Sequence, residues 1–432
     1  MAVQDARPAR ARRRLTTTLV AAAVALVGLS ACTTAGPRTR PPGTPVAHTS
    51  AQQATGSLSR SPDGAPAAVI STSPASSTPL NPTTPVQVSV ANGKLTAVRM
   101  VNETGKLVTG TLAANGSSWK TNEDLGYSKT YTVSAVAVNS GGVRTVKTSR
   151  FTTLTPANMT MPYLNTIYGS SLTNGGTYGV GMVAVVHFDE HISDRAAAER
   201  ALKVTTTPQV EGSWYWLDDQ NVHWRPRSYY QPGTKVTIAA DVYGVEVGQG
   251  LYGQSDQSVS FTIGAKHISI ADASTHQVKV YFNDQLVRTM PTSMGQGGYV
   301  RGTYGKIALW TMPGIYTVLG HENPATMSSD SYGLPSTSAY GYPPEKVPYS
   351  TKISTDGIYL HELDTTVWAQ GHQNVSHGCL NLNRDNAKFY YNTSQVGDVV
   401  EVVHSGGPGI TVQQGGDWSV PWSTWTAGSA LH

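Results

Sequence analysis

Tyr131-Thr132-Val133-Ser134-Ala135-Val136-Ala137-Val138 alternates in hydropathy with a period of two, the mark of a β-strand with one buried face. The same texture recurs around it in Val86-Gln-Val-Ser-Val90, Leu95-Thr-Ala-Val-Arg-Met100 and Arg150-Phe-Thr-Thr153, with turn residues at short intervals. Residues 81–155 therefore read as a small β-sandwich. A second β-rich unit follows over 156–264, carried by Val183-Ala-Val-Val-His187, Asn221-Val-His-Trp-Arg225, Lys235-Val-Thr-Ile238 and Val259-Ser-Phe-Thr-Ile263. It is interrupted by one expected helix, Asp194-Arg-Ala-Ala-Ala-Glu-Arg-Ala-Leu202, with Ser193 as its N-cap. Neither unit holds a convincing catalytic cluster; His187, His191 and His223 read as structural or exposed.

From 265 to 404 the pattern is again mostly strands, among them His267-Ile-Ser-Ile-Ala271, Gln277-Val-Lys-Val-Tyr-Phe282, Ile315-Tyr-Thr-Val-Leu319, Ile358-Tyr-Leu-His361 and Val399-Val-Glu-Val-Val403. A helix is expected after Asn383 as N-cap, running through Tyr391. The tail, 405–432, carries Trp418, Trp422 and Trp425, which would share one face if helical and are expected to pack on the preceding domains. The fold class is thus mostly β, and a length of 432 residues suits about three domains.

The formal charge of +4 resides entirely in residues 1–31, where Arg7, Arg10, Arg12, Arg13 and Arg14 outweigh Asp5. The remainder is close to neutral, which argues against nucleic acid as a partner. The Arg-rich start precedes the apolar run from Leu19 to Leu29, too short to span a bilayer comfortably, so 1–31 reads as an export signal. Leu29-Ser30-Ala31-Cys32 has the small residues before Cys of a lipobox, which would make Cys32 a lipid-modified residue and the membrane a partner. Arg13-Arg14 hints at twin-arginine export, but its flanks fit poorly. Residues 32–80 are rich in Ser, Thr and Pro and read as a flexible linker.

The chain has two cysteines. With Cys32 lipidated, Cys379 is a lone thiol in an oxidising compartment, which calls for a chemical explanation. It sits in Ser376-His377-Gly378-Cys379-Leu380-Asn381, with His361 upstream. A catalytic thiol needs a base or cation, and His361 and His377 are both available; spacing does not choose between them. Gly378 permits a sharp bend that points successive N–H groups at one oxyanion. A buried structural Cys is the competing reading. A metal site built from Cys379, His377, His372 and His361 lacks any known ligand spacing.

Ser-His-Gly-Cys at the end of the segment from His361 to Asn381 resembles the L,D-transpeptidase family, and most of all its multi-domain actinobacterial lipoprotein members. Supporting stretches are Thr289-Met-Pro-Thr-Ser-Met-Gly295, Tyr332-Gly-Leu-Pro335, Gly397-Asp-Val-Val-Glu-Val-Val403 and Gly416-Asp-Trp-Ser-Val-Pro-Trp-Ser-Thr-Trp425, and the likeness covers 156–432. The resemblance implies two immunoglobulin-like domains before a β-rich catalytic domain at 265–404. It implies Cys379 as nucleophile, His361 as base, and the backbone N–H groups of His377, Gly378 and Cys379 as oxyanion hole. Tyr342 matches the lid tyrosine of the donor site, and Asp356, Gly357 and Asn381 match positions that contact the stem peptide. Glu362 departs from the Ser found there in close relatives, so its carboxylate is expected either to raise imidazole basicity or to face solvent, while its backbone carbonyl still serves the His.

The implied reaction forms a Cys379 thioester from a peptidoglycan tetrapeptide stem, expels D-Ala, and passes the acyl group to an amine of a neighbouring stem in a 3→3 cross-link. No cofactor or metal is called for, and carbapenems are the expected inhibitors. Two rivals stand beside this: a cysteine peptidase or amidase that trims wall peptides, and a non-catalytic adhesion lipoprotein.

Overall fold

In the computed structural model, residues 64–75 and 78–431 are described. The apolar N-terminal run, Cys32 and most of the linker lie outside them. Strands dominate, and the buried side chains form three separate clusters along the chain.

The first cluster is sandwiched between two four-stranded sheets. One contains Val69–Ser73, which corrects the linker expected through residue 80 because Ala68 and Ile70 are buried in this core, with Gln87–Ala91, Ser118–Thr121 and Gly110–Leu112; the other contains Leu107–Val108, Lys94–Asn102, Thr130–Val138 and Arg144–Thr152. Along Thr130–Val138 every second side chain is buried, as the alternation requires, with Val133 and Ala137 meeting Val88, Met100 and Trp119 in the core. The last strand is longer than Arg150–Thr153: it starts at Arg144 and pairs along the whole of Thr130–Val138. Its half-buried positions include Thr145 and Ser149 while Val146 is exposed, so its N-terminal half carries no apolar alternation.

The second cluster lies between the sheet of Pro162–Asn165, Ala184–Phe188, Asn221–Pro226 and Gly212–Trp216 and the sheet of Thr177–Tyr178, Gln257–Ile263, Lys235–Ala240 and Leu202–Thr207. The helix between them is shorter than expected, Arg195–Arg200, and its cap is Asp194 rather than Ser193: the Asp194 carboxylate accepts from Ala197 N–H at 2.9 Å. Leu202 leaves the helix because it pairs with Ala240 in the sheet, and tertiary pairing outweighs local propensity.

The third cluster is enclosed by a five-stranded sheet (Gln285–Pro291, Gln277–Phe282, His267–Asp272, Val399–Val403, Gly314–Thr317) and a four-stranded one (Gly320–Glu322, Ser350–Lys352, Tyr359–Glu362, Leu380–Leu382). The helix Arg384–Thr393 begins where Asn383 Oδ1 accepts from Asn386 N–H at 3.0 Å, and it buries Ala387 and Tyr390 in the same core. Backbone bonds from Gly179 to Val396 (2.8 Å) and from Gly181 to Gly397 (2.8 Å) tie the second sandwich to this unit.

The tail is not one helix. Trp418 belongs to the 3₁₀ turn Asp417–Ser419, and Trp422 and Trp425 to the short helix Trp422–Thr426 that follows Pro421. The three indoles converge all the same, because all surround the buried Arg225 of the second sandwich, with its guanidinium carbon 4.7, 5.3 and 4.5 Å from the rings of Trp418, Trp422 and Trp425. Arg225 Nη2 also donates to Val420 O at 2.8 Å, and buried His223 Nδ1 meets Asp417 Oδ1 at 2.6 Å. Trp425 stacks on Tyr215 and donates through Nε1 to Ser213 O, while Trp216 N–H donates to Gly428 O. Trp425→Ala removes the largest fully buried side chain; urea unfolding should show a loss of about 3–5 kcal/mol.

Candidate active site

Cys379 is placed by two neighbouring segments. The strand Leu380–Leu382, which Cys379 immediately precedes, pairs in parallel with Tyr359–Glu362, setting His361 opposite Asn381. The other side of the loop is sewn to residues 292–296: Ser376 N–H donates to Met294 O, Asn381 N–H to Ser293 O and Gln296 N–H to Ser376 O. Gly378 has φ +145°, a region that side chains rarely adopt, and a Cβ there would meet Trp310 O at 3.4 Å.

Hydroxyls hold the turn in shape. Ser376 Oγ donates to Cys379 O (2.6 Å) and accepts from Gly378 N–H (3.1 Å); Thr311 Oγ1 donates to Gly378 O (2.6 Å) and accepts from Gly295 N–H (2.9 Å). Gly378 N–H is therefore engaged, which leaves the N–H groups of His377 and Cys379 as the candidate oxyanion donors.

His361 is buried, and its Nδ1 is 2.9 Å from the Glu362 carbonyl oxygen. A carbonyl only accepts, so Nδ1 carries the proton and Nε2 keeps its lone pair. The Glu362 carboxylate neither reaches this imidazole nor faces solvent: it is buried, with Oε1 3.3 Å from Arg384 Nη1 on the helix. Burial holds the His361 pKa down to about 4, against the pull of its backbone bond. Burial likewise pushes the Cys379 thiol up to about 11, opposed by the Tyr359 N–H. Near neutral pH both groups are uncharged, so the resting site is thiol and imidazole rather than thiolate and imidazolium.

The Cys379 Sγ lies 3.6 Å from Gly357 O, and Gly357 lines a cleft of about 720 Å³ together with Tyr332, Tyr342, Lys352, Asp356 and Tyr359. Tyr342 reaches this cleft from the loop after the 3₁₀ turn Ser329–Tyr332; its backbone is clamped by Ser329 Oγ, and its ring lies 5.5 Å from that of His377 and 6.4 Å from that of Tyr332. Desolvation and the neighbouring Tyr332 raise the Tyr342 pKa strongly, so its phenol stays protonated and able to donate. Asp356 lines the cleft with its carboxylate already held by Ser354 Oγ (2.5 Å) and Gln414 Nε2 (2.6 Å). Asn381 is buried, with its backbone N–H and C=O taken by Ser293 and by Ser293 and Thr292. His372 is exposed. Among the described residues no group of three or more His, Cys, Asp or Glu is placed to hold a metal ion. Sequence reasoning missed Lys352, Tyr332 and Tyr359; nothing in their spacing marks them, since the cleft is assembled from segments far apart in the chain.

Residues 266–402 match the L,D-transpeptidase catalytic domain family, and 77–246 match the bacterial Ig domain family. L,D-transpeptidase 2 of Mycobacterium tuberculosis is 42% identical over 80% of this chain and 81% of its own. The chain belongs to the L,D-transpeptidase family. L,D-transpeptidase 5 of the same species is 36% identical, over 81% of this chain and 74% of its own. A solved structure of the LD transpeptidase LdtMt1 in complex with imipenem shares 30% identity and superposes with a TM-score of 0.46, over 56% of this chain and 99% of that one. As an L,D-transpeptidase the protein is a transpeptidase enzyme, with its Ig-like portion ahead of its catalytic domain.

The uncharged resting pair has a measurable signature. Only thiolate is alkylated, so iodoacetamide should modify Cys379 about tenfold faster per pH unit up to pH 10, without a plateau. A plateau below pH 7 would reveal a thiolate–imidazolium pair instead.

Proposed function

We propose that this L,D-transpeptidase forms 3→3 cross-links in peptidoglycan through a Cys379 thioester. The observation that carries this reading is the parallel pairing that sets the His361 strand beside a nucleophile turn already fixed by Ser376 and Thr311. His361, with Nδ1 bound to the Glu362 carbonyl, takes the thiol proton as Sγ attacks the stem carbonyl. The His377 and Cys379 N–H groups receive the developing oxyanion, and the amine of D-Ala leaves carrying the proton from His361. An acceptor amine then attacks the thioester and restores the thiol. Tyr342, Asp356, Gly357 and Asn381 line or flank the path of the donor stem. No cofactor enters this scheme.

The test is mass spectrometry of muropeptides after incubating residues 64–432 with disaccharide-tetrapeptide. A dimer joined between two third-position residues is the expected product; tripeptide alone would favour the peptidase reading. Imipenem should form a one-to-one adduct mapping to Cys379, as an acyl donor whose leaving amine stays tethered after ring opening. We further propose that Cys32 is lipidated and holds the enzyme on the outer face of the membrane, facing the wall. Labelled fatty acid should enter the wild type and not Cys32→Ala; equal labelling of the two would refute the anchor.

A further inference from the structure

Lys352 stands on the wall of the donor cleft and is only 7% exposed. A buried ammonium requires compensation, yet among the described residues no ion pair includes it. Its described contacts are neutral. Nζ donates to the Tyr168 hydroxyl at 2.7 Å and lies 3.9 Å from the Tyr168 ring centroid and 5.3 Å from that of Tyr359. Tyr168 belongs to the second sandwich, so a neighbouring domain holds this side chain in place. The two carboxylates that line the cleft form no ion pair with Lys352: Glu322 Oε1 accepts from the Tyr359 hydroxyl, and Asp356 from Ser354 and Gln414.

Register places the cation relative to the chemistry. Lys352 pairs with Tyr359, whose strand pairs in turn with the one that Cys379 precedes. Two strand spacings separate Lys352 from the nucleophile's strand, about 10 Å, or about three residues of extended peptide. On its other side it pairs with Gly320, where an added Cβ would meet nothing within 4 Å. The cation is thus fixed, short of an anionic partner, and within peptide reach of Sγ.

We propose that Lys352 is the anion anchor of the donor site: it binds a carboxylate of the stem peptide, and Tyr168 positions it to do so. The proposal rests on the reading of Cys379 as the nucleophile of stem-peptide transfer. Two carboxylates of a stem could serve, the C-terminal one and a side-chain one, and donors amidated singly at each distinguish them.

The experiment measures steady-state acyl transfer by wild type, Lys352→Met, Lys352→Arg and Tyr168→Phe with the free-acid donor and the two monoamides, alongside iodoacetamide alkylation of Cys379. Loss of one charge-assisted hydrogen bond should raise KM about tenfold in Lys352→Met with kcat and alkylation little changed. One of the two monoamides should show the same rise in wild type and no further rise in Lys352→Met. Lys352→Arg should recover part of the affinity, and Tyr168→Phe should lose part of it. Equal KM for all three donors in an active wild type overturns the anchor while leaving the nucleophile intact, and so does a Lys352→Met loss of equal size for every donor. A wild type that transfers no acyl group overturns both. Should Lys352→Met fail to fold, the wild-type donor comparison and Tyr168→Phe give the same decision.

Discussion

Cys379→Ala should lose all acyl transfer and all imipenem adduct while melting at nearly the wild-type temperature. The loss is total because the neighbouring hydroxyls are poor substitutes for a thiol: Ser376 Oγ is spent on Cys379 O and Gly378 N–H, and the Tyr332 phenol is pushed up to about 12 by burial. The fold is spared because the side chain contributes one long contact to Gly357 O, whereas the turn is held by backbone and hydroxyl bonds that Ala retains. Muropeptide dimers formed by this variant would refute the mechanism.

His361→Ala should cost about 10²–10⁴ in acylation rate, the usual loss of a general base. With its pKa held near 4, the imidazole is unprotonated at any working pH, and the Glu362 carbonyl aims Nε2 by fixing the tautomer. Removing it leaves a thiol whose ionisation lies near 11, so the residual rate should climb with pH toward that value as free thiolate takes over. The wild-type rate should fall only as acid protonates His361, that is, on going down through about pH 4. His372→Ala, on an exposed side chain, is the control; equal losses in the two variants would mean that the base lies elsewhere.

Much of this was legible in the chain. Val133, Ala135 and Ala137 alternate because the strand has one wet face, and the period survives translation into structure. Asn383 acts as the N-cap that its residue type promised. The bend at Gly378 was legible because few residues other than glycine tolerate φ +145°, which leaves a mark in the sequence. The rest was hidden for physical reasons. The strand Arg144–Thr152 turns polar side chains outward along much of its length, and Leu202 leaves its helix for a partner 38 residues away. Glu362 was ambiguous because its answer depended on Arg384, which only the packing of a helix brings near. Lys352 and Tyr168 are 184 positions apart, and no local pattern joins them.

The Trp425–Ser213 bond spans 212 residues, and that separation sets an order of events. Strand Gly212–Trp216 emerges from the ribosome long before the indole that covers Tyr215, so the second sandwich cannot close this wall when its own strands are complete. Its outer aromatic face stays wet while the whole catalytic domain is being made. Closure of the second sandwich is therefore timed by the arrival of Trp425, after the whole catalytic domain has been made.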